Sequence, residues 1–283
     1  MKFGVSVSTF PTNFGPILFP GDLDRNIKTI ADLGYQEIDL FIKYAGEPGL
    51  QETLEIIKQT GISIGIIAAV SAFVDDGLFL SSPDKNVRNE LITRMKDQIS
   101  LASEVGANVP VGTIRGSEGG EDREKWLAES LNILNDHAID NDVKILLEPV
   151  NRYESQLINS VPDAITFIDK YDLPKFDLLV DVFHMNIEDK SILESLKKAR
   201  GRIGHVHFAD SNRLVPGMGH LDWDGIFSTL FEIGYDSICS IEAIPGNNPE
   251  KDAEFAYGYL VEKFNSNTLP RDYSPLVHFI LEE

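Results

Sequence analysis

The chain has 283 residues, 42% of them hydrophobic and 25% charged, a globular composition with enough apolar content for one large core. Its formal net charge of −20 repels phosphate backbones and argues against nucleic-acid binding. No run approaches the roughly 20 apolar residues of a membrane span, and a lone cysteine, Cys239, excludes an internal disulfide and a cysteine-based metal site.

In chain order, 2–8 alternates and is rich in β-formers, so it reads as the first strand. It begins almost at Met1, without the apolar segment of a secretory leader, and the expectation is a reducing, cytoplasmic setting. Residues 9–21 form a loop, 22–33 a helix that stops at Gly34, and 37–41 the second strand. A short helix, 50–59, ends at Gly61 and leads into the apolar third strand, 62–68. A long loop, 70–82, precedes a helix over 83–105, with Ser82 as its predicted cap and Pro83 in its first position. The fourth strand is 108–114, followed by a flexible turn at 116–120 and a helix over 121–139. Then come the fifth strand (143–148), a helix (161–170), the sixth strand (177–181), a helix (191–199) and the seventh strand (203–208). A helix over 223–233, the eighth strand (237–242) and a helix over 250–264 complete the pattern.

Eight strand-then-helix units with short connections close into a single-domain (β/α)8 TIM barrel over 1–264. Continuous apolar strands such as Val-Lys-Ile-Leu-Leu suit a parallel sheet buried on both faces. An open doubly wound sheet would want a glycine-rich phosphate loop after the first strand, and Ser8-Thr-Phe-Pro-Thr-Asn is not one. Residues 265–283 read as a C-terminal extension, a cap or an oligomer contact.

Barrels of this kind carry their chemistry at the C-terminal strand ends. The fifth strand ends in Glu148, the sixth in Asp181 and the eighth in Glu242; the seventh carries His207. Each of these follows a hydrophobic run that has no use for a charge. Three carboxylates and an imidazole converging on adjacent strands repel one another unless a cation lies among them. This oxygen-rich set suits one divalent ion, Mn²⁺ first, with Co²⁺ or Mg²⁺ as alternatives. His205 shares the inward face of the seventh strand with His207 but lies one layer deeper, so it reads as a packed, hydrogen-bonded histidine rather than a ligand. His137 and His278 read as structural and Trp223 as an anchor for its helix.

The segments Glu148-Pro-Val-Asn-Arg-Tyr-Glu154, Asp181-Val-Phe-His184-Met-Asn and His205-Val-His207-Phe-Ala-Asp-Ser-Asn-Arg213 resemble the motifs of the ketose 3-epimerases, the D-tagatose/D-psicose group of the xylose-isomerase-like barrels. The four acidic and imidazole positions are spaced 33, 26 and 35 residues apart, as in that group. The resemblance implies that Glu148, Asp181, His207 and Glu242 hold one metal. It implies that Glu148 and Glu242 exchange protons with the substrate carbon, one on each face, and that Glu154, His184 and Arg213 grip substrate oxygens. It also implies a small sugar or keto-sugar acid as substrate and a homo-oligomer, dimer or tetramer. Such an epimerisation passes through an enediolate, and two bases are needed to invert the centre.

Arg115 follows the fourth strand, and an arginine at a barrel mouth suits a substrate carboxylate or phosphate. With the loop Glu242-Ala-Ile-Pro-Gly-Asn, it makes the chain resemble the 5-keto-L-gluconate epimerase subgroup. The aromatics of 70–83 (Phe73, Phe79) and of 9–20 (Phe10, Phe14, Phe19) suit walls over the mouth and ordinary packing equally. Three other functions compete. Aldose–ketose or hydroxypyruvate-type isomerisation uses the same enediolate. A trinuclear-zinc DNA-repair endonuclease barrel needs histidines on the second and third strands, which have none. A non-catalytic sugar-binding barrel has no need of the two glutamates.

Overall fold

A computed structural model describes residues 1–12 and 15–268. The strands are β1 (Lys2–Ser8), β2 (Phe19–Pro20), β3 (Glu37–Phe41), β4 (Ser63–Ala68), β5 (Val109–Val111), β6 (Ile145–Leu147), β7 (Phe176–Asp181), β8 (Ile203–Phe208) and β9 (Ile238–Ile241). The helices are α1 (Leu23–Asp32), α2 (Leu50–Thr60), α3 (Ser71–Val74), α4 (Lys85–Val105), α5 (Glu121–Asn141), α6 (Val161–Tyr171), α7 (Val182–Glu188), α8 (Ile192–Lys198), α9 (Trp223–Glu232) and α10 (Pro249–Thr268). Among the described residues the parallel sheet runs β4-β3-β1-β9-β8-β7-β6-β5, with the two-residue β2 beside β1. A single bridge between Ile66 and Asn108 brings the two ends together, so the eight main strands form the barrel expected from the repeat. No described helix is long and apolar enough to cross a membrane.

The two faces of each strand do different work. Phe3 on β1 packs edge-on against Phe227, Tyr257 and Phe264, and Phe208 on β8 packs against Trp223 and Phe227, so these faces meet the helices. The main apolar core lies there, between barrel and helix shell, and includes Cys239. The alternate residues point into the barrel. There a small apolar cluster of Ile66, Leu146 and Leu179 stands beside buried polar groups, among them Ser6, Glu37, Asp39, His205 and Ser240.

Several boundaries depart from the sequence reading. Helix α4 starts after Asp84, not Ser82: the Asp84 side chain accepts from Asn86 N at 2.8 Å, and Ser82 Oγ accepts from Asp84 N at 3.2 Å. The fourth barrel strand stops at Val111 because Gly112 turns the chain into a 3-10 turn, Thr113–Arg115. Helix α7 was unforeseen and begins directly at the end of β7, where Asp181 caps it by accepting from Phe183 N at 2.8 Å. Helix α10 runs past 264 to Thr268; the remainder of the expected extension, with His278, lies outside the described residues. Trp223 is buried and donates to Asp210 Oδ2 at 2.9 Å, as an anchor should.

Candidate metal centre and active site

Four strands deliver the acidic and imidazole groups to one end of the barrel. Glu148 is the first residue past β6, Asp181 closes β7, His207 is next to last in β8, and Glu242 follows β9. One donor atom from each lies within 4.8 Å of all the others; Asp181, His207 and Glu242 are buried and Glu148 is nearly so. The space is built for them. A Cβ on Gly112 would meet Glu148 Oε2, so the bare position after β5 leaves that carboxylate its place.

Arg213 reaches into this cluster. It donates to Asp181 Oδ2 at 2.6 Å and to Glu242 Oε2, and stacks over Phe183 with its guanidinium carbon 4.6 Å from the ring centroid. Its backbone is left-handed, φ 65°, a conformation that costs a non-glycine residue energy and recurs at functional sites. Charge divides the carboxylates. Burial, only partly offset by His207 and reinforced by Glu242, pushes Glu148 up to about 7. Burial also acts on Glu242, but His207 and Arg213 outweigh it and hold that carboxyl below the usual carboxylate range. Asp181 is raised by burial against the pull of Arg213.

The donor set fits a divalent ion, and one orphaned atom supports the fit. His207 Nε2 is 3.0 Å from Asp39 Oδ2, while His207 Nδ1 is buried without a hydrogen-bond partner. That free nitrogen stands 3.5 Å from Glu242 Oε2 and 3.8 Å from Glu148 Oε1, among the carboxylates. A buried polar atom left unpaired is costly, and an ion among these four groups would give it a partner. His205 is no member of the cluster: it is fully buried and its Nε2 lies 3.0 Å from Asp39 Oδ2, as expected of a packed histidine.

A cavity of about 300 Å³ opens above the cluster and is lined by Glu148, Glu154, His184, His207, Arg213 and Glu242 on the β6–β9 side. The β3–β5 side is mostly apolar, with Phe41, Ile66, Ala68, Val70, Pro110 and Ile114. His184 sits on α7, one turn past Asp181. Its Nδ1 faces two donors, Asn151 N at 3.3 Å and Asn151 Nδ2 at 2.8 Å, so it acts as acceptor and leaves the proton on Nε2, 3.6 Å from Asp181 Oδ2 and 3.8 Å from Glu148 Oε1. Burial and the nearby cation Arg213 keep this imidazole neutral. Glu154 is held by Asn151 Nδ2, which donates to Oε1 at 2.9 Å.

Arg115 is not where the sequence reading puts it. The guanidinium is fully buried and does not line the cavity. Its donors are spent on backbone carbonyls: Nε to Leu157 O at 2.9 Å, Nη1 to Gly112 O at 3.0 Å and Glu148 O at 2.5 Å, Nη2 to Ile158 O at 2.9 Å. The guanidinium is therefore not part of the cavity wall that would meet a substrate anion. The lid expectation also changes. Phe73 and Phe79 pair edge to face at 6.5 Å, and Arg123 stacks on Phe79, so both pack into the structure. Phe10 and Phe19 are buried, and Phe14 lies outside the described residues. His220 is exposed in its loop. Sequence reasoning overlooked Asp39, Asn151 and Phe183. The one signal for Asp39 was an acid in the interior of a strand, Glu-Ile-Asp-Leu-Phe.

A family model described as xylose isomerase-like TIM barrel matches residues 27–262. The chain is 37% identical over 113 residues to the D-psicose 3-epimerase of Enterocloster bolteae, a match spanning 40% of this chain and 38% of that protein. It is 28% identical over 244 residues to the 3-dehydro-D-guloside 4-epimerase of Escherichia coli, spanning 81% of this chain and 87% of that protein. The solved structure of an L-ribulose 3-epimerase covers 100% of this chain and 99% of its own, with a TM-score of 0.81 at 22% identity, which shows a shared fold.

Proposed function

The chain belongs to the xylose isomerase-like TIM-barrel family, and on that premise we propose that it is an isomerase: a divalent-metal-dependent epimerase that inverts the carbon beside the ketone of a small, uncharged sugar. The observation that carries the reading is the convergence of Glu148, Asp181, His207 and Glu242, with His207 Nδ1 left unpaired among them. Relatives named as epimerases of D-psicose and 3-dehydro-D-guloside support it.

Inverting such a centre means removing a weakly acidic C–H proton on one face and returning a proton on the other, which takes two bases. Glu148 and Glu242 come from β6 and β9, with β7 and β8 between them, so they approach the cavity from different sides. Glu148 and Glu242 would each exchange a proton with the carbon from its own face, and the reverse reaction exchanges their roles. An ion held by the four ligands would supply positive charge for the enediolate oxygens. His184 Nε2–H and Arg213 donate to the substrate oxygens and orient the carbon, and Glu154 accepts from a hydroxyl. Manganese, with its taste for mixed oxygen and nitrogen ligands, is the first metal to try.

The substrate's charge follows from the walls. Among the described residues lining the cavity, Arg213 is the one arginine or lysine, and it is engaged by Asp181 and Glu242. With Arg115 outside the cavity lining and the charge of Arg213 balanced by Asp181 and Glu242, the described side chains of the cavity carry no excess positive charge, which favours a neutral ketose over a keto-sugar acid.

The test is incubation with Mn²⁺ in D₂O, using a neutral ketose and its carboxylated counterpart. The expected result is deuterium at the carbon beside the ketone, with inverted configuration, on the neutral sugar. Glu148→Gln and Glu242→Gln should each lose about 10²-fold or more in activity. An aldose product would replace epimerase by isomerase, and preference for the acid would refute the neutral substrate.

A further inference from the structure

Strand β8 presents two histidines to the barrel interior, and both turn Nε2 toward one atom. Asp39 Oδ2, on β3, lies 3.0 Å from His205 Nε2 and 3.0 Å from His207 Nε2. Asp39 and His205 are fully buried, and His207 nearly so. The two rings stand almost perpendicular, at 88° with centroids 5.2 Å apart, which lets two N–H groups reach one oxygen from different directions. A carboxylate oxygen accepts, so each imidazole must donate from Nε2. These three residues also have donor atoms within 4.8 Å of one another. Contacts of 3.0 Å are nevertheless ordinary N–H to oxygen hydrogen bonds and need no ion.

The consequence falls on the other nitrogen of His207. With Nε2 committed to donation, Nδ1 can be left bare, and Nδ1 is the atom that stands unpaired 3.5 Å from Glu242 Oε2. The opposite tautomer would aim a proton into the donor cluster and deprive Asp39 of a hydrogen bond. Room for the arrangement comes from β4. A Cβ on Gly65 would crowd the pair, standing 3.1 Å from Asp39 Oδ1 and 3.1 Å from His205 Cε1, and would displace the Glu37 carboxyl.

We infer that Asp39 is a positioning residue for the metal centre: it sets the tautomer and ring orientation of His207, and His205 holds Asp39 in place from below. This rests on the reading of His207 as a metal ligand. The clamp spans the barrel, from the second of its eight main strands to the seventh, and so ties the ligand to the half of the sheet that supplies none of the four donors. Carboxylates that orient a ligand histidine in this way typically govern metal affinity by about 10–100-fold.

Mn²⁺ affinity of metal-free protein, measured by calorimetry, tests both levels. His207→Asn should nearly abolish binding. Asp39→Asn should weaken it by about 10–100-fold, with a metal-free melting temperature close to that of wild type, and His205→Gln should weaken it less. If Asp39→Asn binds Mn²⁺ as tightly as wild type while His207→Asn does not, the clamp is refuted and the metal site stands. If His207→Asn also binds normally, the metal reading falls with it. Should Asp39→Asn fail to fold, imidazole ¹⁵N resonances of the wild-type protein with diamagnetic Mg²⁺ decide. A proton on Nε2 and none on Nδ1 of His207 is expected, and the reverse would overturn the inference.

Discussion

A charge at the end of a hydrophobic run is informative, but its role depends on where its side chain goes. Glu148 and Arg115 both follow apolar strands, and they part company in three dimensions. Glu148 turns into the cavity; Arg115 turns beneath it and joins the backbone of three segments. One of these segments contains Ile158, a β-branched residue at φ 57°, a backbone state it adopts only under constraint. Arg115 accepts that constraint by donating to the carbonyls of Leu157 and Ile158. Arg115→Met should strand several buried carbonyls, each worth about 1–3 kcal/mol. A net loss of about 2 kcal/mol would lower the melting temperature by roughly 4–8 °C. Calorimetry reads that fall. Because Arg115 does not touch the cavity, activity on neutral and carboxylated ketoses should drop by the same factor; selective loss on the acid would restore Arg115 to substrate binding.

Among the elements, those with strong periodicity were legible and the short ones at the mouth were not. Helix α6 shows why the first kind can be read: Ser160 and Asp163 form a reciprocal capping box, with Pro162 in the first turn. The fourth barrel strand shows the opposite. Its apolar run continues to Ile114, yet pairing stops at Val111 because Gly112 adopts φ −102°, ψ −116° and the chain departs from the sheet. The reason for that glycine is across the strand gap, in the Glu148 carboxylate, and is invisible locally. Gly112→Ala should therefore push Glu148 from its place. Turnover is expected to fall by about an order of magnitude or more, as misplacing a reacting group does. Far-ultraviolet circular dichroism should change little, since the conflict is with one side-chain oxygen and not with the backbone. Undiminished turnover would mean that Glu148 can yield without consequence. Helix α7 was likewise hidden, because Asp181 serves at once as strand end, helix cap and candidate ligand.

At the scale of the whole molecule, the net charge of −20 and the gathering of Glu148, Asp181 and Glu242 act in the same direction. Both raise the free energy of the metal-free fold through like-charge repulsion. An ion that binds the native state alone stabilises it by mass action, by about 2.7 kcal/mol at a hundredfold excess over its dissociation constant. Adding Mn²⁺ to chelator-treated protein should thus raise the melting temperature by several degrees, and Glu242→Gln should shrink that rise. A melting temperature indifferent to metal would contradict the proposed centre. The sequence by itself determined the barrel, because eight repeats of apolar strand and amphipathic helix have one economical closure, and it marked Glu148, Asp181, His207 and Glu242, because three carboxylates and an imidazole converging on adjacent strand ends repel one another unless a cation lies among them. Only the tertiary structure decided that Arg115 lies under the site and Asp39 behind His207, because both depend on contacts between residues 33 and 168 positions apart, which no local pattern encodes.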